Sequence, residues 1–64
     1  MEKIHSDDEG LTLSLTKEEF FTLAGSINEA LELVDDWEFS TRVGVERDFA
    51  VALRAAMSEI AHGL

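Results

Sequence analysis

No cysteine occurs in this chain of 64 residues, so no disulfide can hold its fold together. That absence constrains the architecture more than any other single feature. A domain of about 60 residues buries only around 60% of the surface its unfolded chain exposes, and is marginal alone. Small domains compensate with disulfides, a metal or a partner subunit. Without cysteine, disulfides and Cys-ligated zinc or iron–sulfur centres are excluded. No histidine or carboxylate spacing marks a metal loop, so neither metal nor cofactor is expected. Self-association, or folding helped by a partner, is the remaining remedy, and a homo-oligomer is the expectation.

Charge narrows the partners. Fourteen acidic and five basic residues give a formal net charge of -9. A nucleic-acid-binding module should be basic, because phosphate neutralisation supplies most of such affinity. A disordered acidic tail should be poor in apolar residues, whereas 45% of this chain is hydrophobic. No run approaches the roughly 18 consecutive apolar residues of a membrane span. The start, Met1-Glu2-Lys3-Ile4-His5, lacks the apolar core of a signal peptide. One soluble acidic domain over residues 1–64 is expected, touching neither nucleic acid nor membrane.

Four segments follow from periodicity. Leu11, Leu13 and Leu15 alternate with Thr12 and Ser14, the pattern of a half-buried strand. Before them, Ser6-Asp7-Asp8-Glu9-Gly10 is turn chemistry. Residues Glu2 to Ser6 either pair back as a hairpin or fray. Thr16 and Glu19 then form a capping box that opens a helix of about 18 residues. Phe20, Leu23, Ala24, Ile27, Leu31 and Val34 make its apolar stripe. Gly25, in mid-helix, is a candidate for close approach of a neighbour.

Trp37, Phe39, Thr41 and Val43 alternate with Glu38, Ser40 and Arg42, and this predicts a second strand. An irregular segment pinned by Trp37 and Phe39 is the alternative. Gly44 marks a tight turn. From about Glu46 to His62 a second helix is predicted, with Phe49, Leu53, Ala56, Met57 and Ile60 as its main apolar stripe and Gly63 as its cap. Val51, Ala52 and Ala55 form a second, small-residue face. It is either a dimer contact or simply alanine's helix propensity.

Catalytic constellations are weak. His5 and His62 stand near opposite ends, where lone histidines are usually solvated. Asp7-Asp8-Glu9 lacks the alternating spacing of a calcium loop. Gly10, Gly25, Gly44 and Gly63 are scattered, so no phosphate-cradling loop exists. With so many acids, two neighbouring carboxylates are expected by chance. The chain is read as non-catalytic.

The acids at the end of the first helix carry more information. Glu29, Glu32, Asp35, Asp36 and Glu38 crowd its last turns and exit, where the helix dipole prefers cations and each misplaced acid costs about 0.3–1 kcal/mol. No lysine or arginine occurs between Lys17 and Arg42. A local rule broken without visible compensation is where function is expected. Such a surface would attract a basic partner protein and speed its association. The competing reading is a solubilising surface with Arg42 as its counter-ion. Asn28 is expected to bond the backbone of the Trp37–Val43 segment, and Arg42 to pair with Glu38 or Glu29. Trp37 is expected to be buried rather than to serve as an interface anchor.

Leu23-x4-Asn28-Glu29-Ala30, followed by Glu38-Phe39-x-Thr41-Arg42-x-Gly44 and the helix start Glu46-Arg47-Asp48, resembles small acidic bacterial toxin-immunity proteins. The resemblance spans roughly Leu11 to Ile60. It implies a cytoplasmic protein without catalytic residues that binds and blocks one cognate toxin. Many immunity proteins are acidic because their targets are basic nucleases. No binding residues transfer by motif, because such surfaces vary with the toxin. The sequence departs from the pattern before the second helix, where Glu46 stands in place of a serine-type cap.

The expected fold is therefore α+β: a small β-α-β-α domain with two amphipathic helices, a short sheet and an optional N-terminal hairpin. An all-α helical hairpin is the alternative. Both helical stripes should form the core with Leu11, Leu13, Leu15, Phe39 and Val43. Two functions are carried forward. One is an immunity-type inhibitor that meets a basic partner through Glu29, Glu32, Asp35, Asp36 and Glu38. The other is a homodimeric structural or regulatory protein joined through Val51, Ala52 and Ala55.

Overall fold

A computed structural model describes all 64 residues. The elements are β1 (Glu2–Asp7), β2 (Gly10–Ser14), α1 (Lys17–Leu33), α2 (Asp36–Val43) and α3 (Arg47–His62). The fold is α+β, with one two-stranded antiparallel sheet and three helices.

The N-terminal hairpin forms. Asp7 pairs with Gly10, Ser6 with Leu11 and Lys3 with Leu13. The register shifts between Lys3 and His5, so Ile4 is the extra residue of a bulge. Asp7 organises the turn. Its Oδ1 accepts the backbone N–H of Glu9 at 2.9 Å and of Gly10 at 3.1 Å. Its Oδ2 accepts His5 Nε2 at 2.9 Å. These bonds, the His5 bond foremost and the two backbone N–H groups after it, hold the Asp7 carboxyl below the usual aspartate value. Its folded-state pKa is the lower one. Its stabilisation of the hairpin is therefore complete above the ordinary aspartate range, near pH 4, and is lost as pH falls through that range and below. An NMR titration of the Asp7 carboxyl should give a midpoint below that of an unstructured aspartate, with the Glu9 and Gly10 amide shifts moving in step. A midpoint at the ordinary value would refute the turn geometry.

Helix α1 begins as the capping box requires. Glu19 N–H donates to Thr16 Oγ1 at 3.0 Å, and Thr16 N–H donates to Glu19 Oε1 at 2.9 Å. The α-amino group of Met1 also lies against Glu19. That cation first, and the Thr16 N–H second, lower the pKa of the Glu19 carboxyl.

The predicted strand over Trp37–Val43 is a helix. Its residues satisfy both periods, and the helical signals prevail. Asp36 and Glu38 fall in the first turn, and Arg42 in the last, as the macrodipole favours. Arg42 pairs with Glu38 one turn earlier at 3.8 Å. Gly44 ends the helix with φ 95°, a left-handed cap in which its N–H reaches Ser40 O at 2.9 Å. Phe39 and Val43, four apart, share a helical face, whereas Trp37 lies on the far side from Phe39. Trp37 is accordingly 79% exposed, against the expectation that it would be buried.

The core is smaller than the stripes predict and sits at one end. Leu31, Phe39 and Ala50 form its cluster, flanked by half-buried Ile27, Ala30, Val34 and Val45, and Phe20 is buried apart from them near the start of α1. Phe39 is only 1% exposed. The expected core positions Leu11, Leu13, Val43, Phe49, Leu53 and Ile60 all remain exposed. A hairpin of two short strands is too narrow to cover two helical stripes. Ala50, one residue on from Phe49, is the side chain that α3 turns into the core. Gly25 has no neighbour within 4 Å of where a Cβ would stand, so it marks no close approach.

Candidate functional site: an acidic corner around an exposed tryptophan

The expected acidic residues are spread over the end of α1 and the start of α2, and their electrostatics differ from the sequence expectation. Only Glu29 and Glu32 lie on the closing turns of α1. Asp35 is the N-cap residue of α2, and Asp36 and Glu38 occupy its first turn, where the dipole favours negative charge. The end of α1 has its cation too, supplied from a distance. Arg47, the first residue of α3, donates from Nη1 to Leu31 O at 2.8 Å and from Nη2 to Val34 O at 2.6 Å. These are carbonyls that a helix end leaves without intrahelical partners. The Arg47 guanidinium lies 4.6 Å from the centre of the Phe39 ring, within cation–π range. Asp36 Oδ1 contacts Arg47 Nε off the N–H direction, so this is an ion pair without a hydrogen bond.

Arg47 therefore ties the α1 terminus, the core aromatic and α2 into one knot. The sequence carried a signal for it. A cation at the first position of a helix opposes that helix's own dipole, and the chain has only five Lys and Arg residues. Arg42 neutralises Glu38 as expected. Asn28 behaves differently: its Oδ1 accepts Arg54 Nη1 at 3.2 Å, joining α1 to α3 instead of bonding the Trp37–Val43 backbone.

Glu29, Glu32 and Asp35 are exposed and form no ion pair. Trp37 lies between Asp36 and Glu38 in the chain, with its indole in solvent. Leu33, 75% exposed, closes the same end of α1. The corner thus offers one large exposed aromatic and one exposed aliphatic side chain with carboxylates next to them in the chain. Chemically, that suits a cation approaching over an aromatic face.

A second surface lies between β2, α1 and α3. It is an open groove of ≈ 840 Å³, with Leu13, Leu23, Ile27, Leu53, Met57 and Ile60 among its walls. Val51, Ala52 and Ala55 are also exposed, but Val51 and Ala55 lie about half a turn around α3 from Leu53, away from the groove. No three histidine or carboxylate groups converge in a way that would hold a metal ion. No helix is long and apolar enough to cross a membrane. Compared with protein-family models, curated proteins and solved structures, the chain matches none.

Proposed function

We propose that this chain is a non-catalytic protein-binding module of immunity type, which engages a basic partner protein through its acidic corner. The observation that supports this reading is Trp37, 79% exposed at the first turn of α2 and flanked by Asp35, Asp36 and Glu38. A buried tryptophan would have been a packing element. An exposed one, framed by carboxylates, has the chemistry of an interface anchor. The indole supplies desolvated contact area and a face for a lysine or arginine, while the carboxylates steer the encounter. An immunity-type role carries with it a cytoplasmic setting and a toxin as the basic partner.

Capture from the native lysate on the immobilised chain, across a salt series, tests the reading. One basic protein should be retained at low salt and released as salt rises. Trp37→Ala should weaken its binding about 30-fold, the cost of a hot-spot truncation. Asp35→Lys with Glu32→Lys should slow its association about tenfold with little change in dissociation. Asp36 is spared, because it also contacts Arg47. Equal capture of the same protein by all these variants would overturn the reading.

A further inference from the structure

The isolated chain is too open for its mass. A folded monomer of 7.1 kDa should expose about 4,100 Å². This one exposes 5105 Å², an excess of about 1,000 Å². Its radius of gyration is 13.0 Å, against about 11 Å for a compact domain of this length. The excess is comparable to the roughly 800 Å² that each partner contributes to a standard protein–protein interface.

The groove is the part of that open surface where exposed apolar side chains from β2, α1 and α3 stand together. Eleven of its twelve lining residues are hydrophobic and none is charged. The twelfth, Ser26, already donates its hydroxyl to Thr22 O at 2.8 Å. A small-molecule site needs a few convergent polar groups to orient its ligand, and this groove has none to spare. Nor does it carry charge to select an ionic partner. Its complement is a neutral apolar surface, and this chain presents such a surface on the groove walls themselves. The hairpin points the same way. Every residue of β1 and β2 is exposed, and a hairpin with nothing on its apolar side is marginal in water.

We propose that a second copy of this chain covers the groove, forming a two-fold dimer in which Leu13, Leu53, Met57 and Ile60 of each protomer pack against the other. Glu29, Glu32, Asp35 and Trp37 do not line the groove, so the dimer carries two acidic corners. The proposal is independent of what those corners bind.

Sedimentation equilibrium and thermal melts of the unmodified chain over a hundredfold concentration range provide the test. Twice the chain mass is expected at micromolar concentration, with a melting temperature that rises with concentration. Leu53→Glu places a charge in the interface twice by symmetry and should weaken the dimer at least about a hundredfold. Val51→Glu, on the far side of α3, should leave it intact. A monomer at every concentration overturns the proposal, whether or not the groove takes up an apolar dye. So does a dimer that survives Leu53→Glu and is broken by Val51→Glu, which would place the interface on the small-residue face. The concentration dependence of the unmodified chain remains decisive should Leu53→Glu fail to fold.

Discussion

Phe39→Ala should abolish the cooperative thermal transition. Phe39 is the most deeply buried side chain of the molecule. Removing a buried phenylalanine costs about 3–5 kcal/mol in transfer and cavity terms. A 64-residue domain has only about 3–10 kcal/mol of stability in total. The loss is compounded here, because the same ring is the surface over which the Arg47 guanidinium lies. Leu31 and Ala50, its partners in the core, have no other fully buried aromatic to close upon. Circular dichroism during heating, at matched protein concentration, reads the outcome. A sharp melt within a few degrees of the parent would show that the core does not depend on this residue.

Arg47→Met comes second, with an expected loss of about 2–4 kcal/mol. Methionine keeps much of the apolar stem and removes the guanidinium. Two hydrogen bonds from a charged donor disappear, each worth about 1.5–3 kcal/mol before the freed carbonyls regain water, together with a cation–π contact worth about 0.5–2 kcal/mol. The Asp36 ion pair adds little, since its carboxylate is largely in solvent. Arg47→Lys should restore less than half of the loss. An ammonium cannot reach Leu31 O and Val34 O together in the planar fork that a guanidinium offers. Urea unfolding of the parent and both variants measures the three stabilities. Full recovery with lysine would mean that charge alone, not the fork, holds the α1 terminus.

The legible parts of the fold are those whose causes are local. Thr16 and Glu19 satisfy each other within four residues, so the start of α1 could be read directly. The turn at Asp7–Gly10 is likewise short-range chemistry, whereas Gly44 was legible only as a tight turn and not as the left-handed cap of a helix. The α+β class and the extent of α3 followed from periodicity alone. The segment Trp37–Val43 did not. Seven residues rich in aromatic and β-branched types fit a strand, and Phe39–Val43 and Glu38–Arg42 fit a helix equally well. The helix also docks Phe39 against Leu31 and Ala50, which lie eight and eleven positions away in the chain and so give no local signal. That error also misplaced Trp37, which the strand pattern put on the same side as Phe39. The acidic residues of the candidate site were legible as neighbours in the chain. Their electrostatic setting was not, because the cation that serves the end of α1 comes from the start of α3.

The off-centre core has a consequence for how the chain acquires its shape. Leu31, Phe39 and Ala50, with their flanking residues, lie between Ile27 and Val45 in sequence or just beyond, so every closure they require is short. Loop entropy is correspondingly small, and chains whose contacts are local reach their transition states quickly. The hairpin lies outside that cluster, and its exposed strands give it a low opening free energy of its own.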